Sequence, residues 1–259
     1  QSPSVEKIYV LPGSDGIATL DKVECVSGDI LETAKKLKPG LVVVGPEKPM
    51  ADGKVDELEA VGFAVMGPSR AAAQLESSKI FSKDFMTQEE IPTARAITCD
   101  SYDEAMRALK ALDVTGRGVV IKADGLSAGK GVVVTHDRSE AEKTLFNFME
   151  NEACTVRAGR VLLEEVLKGR EVSAFALCDG TDFIPLGYAC DYKRVNDGDQ
   201  GPNTGGMGGY APKNWPSDKA RDFVNKKVFA ATLYGMSKRG IPFKGILFAG
   251  LMVESDDVK

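Results

Sequence analysis

Histidine and tryptophan are all but missing: the 259 residues hold one of each, His136 and Trp215. A lone imidazole that follows a strand-like run and precedes a helix start reads as a surface residue rather than a catalyst. Trp215, just before Pro216, reads as a packing anchor rather than a ligand stacker. No C-x-x-C occurs either. The five cysteines, Cys25, Cys99, Cys154, Cys178 and Cys190, are widely spaced and odd in number, which fits reduced core thiols in a cytoplasmic protein. No apolar run approaches the roughly 20 residues that a membrane helix needs. The longest, from Gly245 to Val253, reads as a buried strand, so no membrane partner is expected. Internal repeats and low-complexity segments are lacking as well. Charge of neither sign dominates: Lys and Arg number 33 against 38 Asp and Glu, a net charge of -5, which argues against a nucleic-acid or anionic-membrane surface. There is no initiator methionine, and the chain is expected to be cut from something longer.

What is present suits roughly two domains, since 43% hydrophobic content can bury real cores. Strand-like and helix-like stretches alternate from the start: KIYVL, DILETAKKLK, GLVVVG, KVDELEAVG, FAVMG, then a long helical stretch from Ser69 to about Glu89. Alternation of this kind predicts a parallel sheet flanked by helices, with ligands at the carboxyl ends of strands. The loops Gly45-Pro46-Glu47-Lys48-Pro49 and Gly67-Pro68-Ser69 stand there, although both also read as ordinary turns with a serine cap. Ile91-Pro92 ends this unit. ARAIT, SYDEAMRALKAL, a glycine hairpin, SEAEKTLFNFMEN and RVLLEEV then suggest a small α+β unit able to hinge as a lid. Beyond Glu171 the chain is strand-rich, with a helix expected from about Ser217 to Arg239 before the strand KGILFAGLMV.

The hairpin carries GVVIKADGLSAGKGVVVTH, Gly118 to His136. Its glycines and lysine fit neither the P-loop spacing nor the dinucleotide fingerprint, because β-branched runs flank the glycines on both sides. It reads as a flap between two strands. Such a flap can cover a polyphosphate through backbone N–H groups, with Lys122 and Lys130 adding charge. A hairpin with solvated lysines fits the loop alone equally well. Further on, LLEEVLKGREVSAF offers a strand edge for an adenine and a carboxylate for ribose hydroxyls, against the plainer reading of a surface hairpin. The loop DYKRVNDGDQGPNTGGMGGYAP is too long for an ordinary connection. Its Asn203, Thr204, Gly205 and Gly206 supply donors, with Lys193 and Arg194 beside them.

Taken in order, GPEKPM, GPSRAAAQLESSKIFSKDF, IPTA, VIKADGLSAGKGV, LLEEVLKGREVS, DYKR, GPNTGGMGGYAP and FKGILFAGLMV resemble the phosphoribosylamine–glycine ligase family of ATP-grasp enzymes over almost the whole chain. The resemblance implies an ATP-grasp fold, α/β and α+β. Residues 1–91 would form a Rossmann-like N-terminal domain lacking its first strand and helix, 92–166 the lid, and 167–259 the central domain, lacking its C-terminal part. It makes Lys79 and Lys122 the lysines of the ATP phosphates and Asp124, Gly125, Ala128, Gly129, Lys130 and Gly131 the covering loop. Glu165 and Leu167 would meet adenine through their backbones, Glu171 the ribose, and Lys193 the triphosphate. Pro46, Glu47, Pro49, Gly67, Pro68, Asp191, Arg194, Asn203, Thr204, Gly205, Gly206, Met207 and Gly208 would line the sites for glycine and 5-phosphoribosylamine. The implied reaction passes through glycyl phosphate and needs no covalent nucleophile, so no catalytic residue is assigned.

The family's GNGGREHA-type loop is not found before Gln1. Its EFN-x-RFGDPE segment, which would hold Mg2+ or Mn2+, is expected beyond Lys259, and no metal ligand is assigned here. Tyr192 stands where the family commonly shows His. The fragment alone is therefore expected to have incomplete substrate and metal sites, and its parent could be fused to later purine-pathway enzymes. Another ATP-grasp carboxylate–amine ligase, a biotin-dependent type of carboxylase and a catalytically dead nucleotide-binding module are the alternatives.

Overall fold

Among the described residues three separate apolar clusters organise the fold. The computed structural model describes residues 2–127, 129–198, 200–212, 216–254 and 257–258, apart from the side chains of residues 202, 203 and 257. Ala128, Trp215 and the Asn203 side chain thus lie outside the described residues.

The first cluster joins Ala34, Val44, Val55 and Leu58. Around it the expected parallel pairing appears as two short ladders, Ile8–Val10 with Val23–Cys25 and Val42–Val43 with Val65–Met66. The helix Ile30–Leu37 starts where the Asp29 carboxylate accepts the Leu31 and Glu32 N–H groups at 2.9 and 3.1 Å. GPEKP is not a loop: it forms the helix Glu47–Ala51 behind Pro46, with Pro49 in the first turn, where no intrahelical N–H is needed.

The long helix expected from Ser69 to Glu89 is broken. Ser78 is extended (φ -135°, ψ 112°) and separates Gln74–Ser77 from Lys79–Gln88. Its hydroxyl accepts the Phe81 N–H at 3.1 Å and donates to Asp124 at 3.0 Å, so side-chain bonding displaces the continuing helix.

In the second cluster, four antiparallel strands run in the order Ala96–Cys99, Val161–Glu164, Val119–Ala123, Val132–Thr135. The helices Tyr102–Ala111 and Arg138–Met149 pack here, contributing Ala105, Leu109, Ala141 and Leu145 against Val119, Ile121, Val161 and Leu163. Strand alternation then turns Lys122 to the opposite face from Ile121.

The third cluster lies under a five-stranded antiparallel sheet ordered Gly209–Tyr210, Phe183–Asp191, Arg170–Asp179, Lys244–Glu254, Asp257–Val258. Val172, Ala174, Ala176 and Cys178 alternate inward along one strand and meet Leu247, Leu251 and Val253 of its neighbour. The helix expected after Ser217 is present from Asp218 to Lys238, with its middle, Val224–Ala230, wound wider as a π-helix. Phe229, Leu233 and Met236 bury its inner face.

Candidate nucleotide site

Two helix and strand ends converge on the glycine loop. Lys79 is the first residue of Lys79–Gln88, and its ammonium donates to the Gly125 carbonyl at 2.6 Å. The Asp124 carboxylate accepts from Ser78 Oγ at 3.0 Å and from the Ile80 N–H at 3.2 Å. A carboxylate at a helix N-terminus satisfies an orphan donor and opposes the positive end of the dipole. Asp124 therefore fastens the loop to the helix. Gly125 and Gly129 adopt φ of 96° and 78°, and a Cβ on Gly131 would lie 2.6 Å from Ser127 Oγ, so the loop's shape needs these glycines. Its closing bonds run from Ala123 N–H to Gly131 O at 2.8 Å and from Lys130 N–H to Ser127 O at 2.9 Å. Lys130 is exposed. Burial holds the Lys79 ammonium below the usual lysine range, opposed by Glu76 and Asp124 and reinforced by Lys122.

Behind this loop is a buried ion group that sequence reasoning missed. Glu164, 5% exposed, bonds Lys122 at 2.7 Å through one oxygen and Lys83 at 3.0 Å through the other. Lys83 also donates to Thr93 Oγ1 at 2.6 Å and to the Ala94 carbonyl at 2.8 Å. Burial pushes the Lys83 ammonium down, against the pull of Glu164. Two signals for it were present: Lys83 stands one helical turn after Lys79 on the same face, and Glu164 closes an apolar strand facing a sheet neighbour.

Glu47 opens its helix close enough to Glu76 to matter electrostatically. Burial first, then Glu47, raises the Glu76 carboxyl, while Lys79 lowers it. Pro46 is exposed and Pro49 half-buried beside Glu47. Gly67 and Pro68 are both buried, and Gly245 approaches Gly67 so closely that a Cβ there would lie 3.2 Å from the Gly67 Cα, so the N-terminal unit packs closely on the central sheet at this point.

On the central sheet, Lys193 bonds Glu171 directly and lies 4.0 Å from Asp191, so three expected residues meet. The glycine loop beyond them is an ordered hairpin whose donors are partly spent inside it. Thr204 N–H and Oγ1 both donate to the Lys193 carbonyl, at 2.7 and 2.9 Å. Gly206 N–H donates to Thr204 Oγ1 at 3.1 Å, and Met207 N–H to the Tyr192 carbonyl at 2.8 Å. Arg194 donates to the Gly201 carbonyl at 2.7 Å and pairs in register with Asn203. Gly205 and Gly208 are exposed, and Tyr192 packs its ring 5.6 Å from Tyr210. At the strand edge, Glu165 N–H donates to the Arg95 carbonyl at 3.0 Å, and the Glu165 carboxylate accepts from the Arg95 guanidinium at 2.9 Å. Among the described residues no hydrogen bond engages the Leu167 N–H, which leaves that donor available to a flat heterocycle.

His136 is exposed, and the five cysteines are unbridged, with Cys99, Cys178 and Cys190 buried. Among the described residues no three His, Cys, Asp or Glu side chains gather as a metal-binding group. No helix among them is long and apolar enough to cross a membrane.

Two family profiles account for the chain: the phosphoribosylglycinamide synthetase N domain over residues 1–76 and its ATP-grasp (A) domain over 77–259. A phosphoribosylamine–glycine ligase of Brucella melitensis is 44% identical over 262 residues, covering 100% of this chain and 60% of the relative. The crystal structure of the Thermotoga maritima phosphoribosylamine–glycine ligase superposes with a TM-score of 0.82 at 32% identity, over 97% of this chain and 61% of that one. A Campylobacter jejuni biotin carboxylase, at 16% identity, shares the fold with a TM-score of 0.70, over 96% of this chain and 57% of that one. The chain thus has an ATP-grasp fold and spans about 60% of the length of the curated relatives it matches.

Proposed function

Because the chain belongs to the phosphoribosylglycinamide synthetase family, we propose that its parent protein is a cytoplasmic ligase of purine synthesis, joining glycine to 5-phosphoribosylamine with ATP. The observation that carries this reading is that Lys79 donates to the glycine loop at Gly125 while Lys122, on the strand that leads into the loop, lies near enough to act on the Lys79 ammonium.

In the proposed reaction a glycine carboxylate oxygen attacks the γ-phosphorus, and the bond to the β-phosphate oxygen breaks, ADP leaving with the electron pair. The amine of phosphoribosylamine then attacks the carbonyl carbon of glycyl phosphate. Phosphate leaves with its electron pair, and the amine's proton passes to solvent. Burial draws the Lys79 ammonium below the usual lysine range, so exchanging the Gly125 carbonyl for phosphate oxygens strengthens its pairing and pulls it back up. Lys122 supplies a second cation. Loop 124–131 covers the phosphates and keeps water from the acyl phosphate. Glu171 receives the ribose hydroxyls, which releases Lys193 toward the phosphates. Glu47 with Pro46 and Pro49, Gly67 with Pro68, and Asp191, Arg194 and 203–208 line the sites of the two other substrates. The division into residues 1–91, 92–166 and 167–259 goes with this reading, the middle unit acting as the lid; its separate apolar cluster would let it move as a body. A divalent cation, when bound, would neutralise phosphoryl charge. Fusion to later enzymes of the pathway is compatible with this scheme.

Calorimetric titration with Mg-ATP and with adenosine tests the cradle. Lys122→Ala should weaken Mg-ATP about tenfold and leave adenosine unchanged, since only the phosphates meet the lysine. Equal affinity of the variant and the unmodified chain for Mg-ATP, or no binding of Mg-ATP by either, refutes it.

A further inference from the structure

Lys83 spends its donors on Glu164, Thr93 Oγ1 and the Ala94 carbonyl, and its side chain is 9% exposed. An ammonium has three protons, so Lys83 has none left for a ligand. Lys122 differs: its side chain is 31% exposed, and Glu164 is its one ionic partner among the described residues. Two lysines and one carboxylate make a group of net charge +1. Without Lys83 the remaining pair would be neutral, and a phosphate would have to compete with the buried Glu164 carboxylate for Lys122. We propose that Lys83 is a positioning residue that neutralises Glu164, so that the Lys122 ammonium stays aimed at the cleft with its charge available to phosphate. Lys79 and Lys83, one turn apart on one helix, thereby divide the work: one meets the loop over the phosphates, and the other balances charge beneath it. The inference rests on the proposed ATP cradle and adds a residue that never touches the nucleotide.

The test is titration of Mg-ATP and adenosine into the unmodified chain, Lys83→Met, Glu164→Gln, the double variant Lys83→Met/Glu164→Gln, and Lys122→Ala. Lys83→Met should lose about tenfold or more in Mg-ATP affinity while adenosine is held within about twofold. The double variant, which removes one charge of each sign and keeps an amide oxygen for Lys122, should return to within about threefold of the unmodified chain. Rescue by a second core substitution is not expected of a lysine that only supports folding. Undiminished Mg-ATP affinity in Lys83→Met, equal losses for both ligands, or a double variant as weak as the single one overturns the proposal. Should Lys83→Met not fold, the double variant carries the test: Mg-ATP affinity near that of the unmodified chain supports the charge balance, and a selective loss of Mg-ATP refutes it. If Lys122→Ala leaves Mg-ATP affinity unchanged, the cradle itself has failed, whatever Lys83 does.

Discussion

Replacing Asp124 by alanine should loosen the glycine loop and destabilise the helix it caps. The carboxylate takes two hydrogen bonds, from Ser78 Oγ at 3.0 Å and from the Ile80 N–H at 3.2 Å. A hydrogen bond to a charged group contributes about 1.5–3 kcal/mol and a helix cap about 1 kcal/mol. The site is only part-buried, so a total of about 2 kcal/mol is reasonable, which corresponds to roughly 4–8 °C in Tm for a chain of this size. The loss should fall unevenly. Amide exchange should accelerate in residues 124–131 and in the first turn of Lys79–Gln88, while the strand Lys244–Glu254, with its ten-residue ladder to Arg170–Asp179, exchanges as before. Asp124→Asn, keeping one acceptor but no charge, should fall between. Differential scanning calorimetry with hydrogen exchange measures both effects. An unchanged Tm together with unchanged loop exchange would show that Asp124 does not hold the loop.

Three other expectations are independent of the loop. Gly245→Ala forces a Cβ onto a residue at φ 114° and to within 3.2 Å of the Gly67 Cα, so it should cost roughly 2–3 kcal/mol; an unshifted urea midpoint would contradict the close packing. Burial pushes the Cys178 thiol up to about 11 from 9.0. The unfolded chain therefore ionises first, and stability is full below pH 9 and falls as pH rises toward 11, by about 2 kcal/mol. Cys178→Ala should remove that share of the alkaline loss in denaturant titrations at pH 8 and 11; parallel losses in both proteins would exclude the thiol as its source. Glu171→Ala breaks an exposed pair, so stability should change by less than about 1 kcal/mol, whereas adenosine and Mg-ATP affinity should both fall and inorganic triphosphate binding should not. Unaltered adenosine affinity would remove Glu171 from the ribose site.

Features constrained by neighbouring residues were readable in advance. The flap between Val119–Ala123 and Val132–Thr135 follows from two β-branched runs around glycines, and the helix Tyr102–Ala111 from a serine cap before an amphipathic repeat. The break at Ser78 was not readable in that way. LESSKIF has good helical pattern throughout, and the residue that tips Ser78 into an extended conformation, Asp124, lies 46 positions away. The close packing of Gly67-Pro68 was unreadable for a similar reason: its neighbour there, Gly245, lies far along the chain in the last long strand.

The same contrast explains why Lys122 was readable as a phosphate candidate and Lys83 and Glu164 were not, Lys79 having come from the family resemblance alone. A lysine beside a glycine loop advertises its chemistry through the loop. A lysine in mid-helix, with no ligand-like pattern around it, looks like solvated surface, since lysine is almost never buried unless paired. The pairing that makes burial tolerable needs a carboxylate with both oxygens engaged, and Glu164 has that only because Val161–Glu164 lies beside Val119–Ala123. Charge balance in a cleft is therefore a property of sheet order and helix docking, and a lysine that spends every proton on protein acceptors can govern phosphate binding from beneath it.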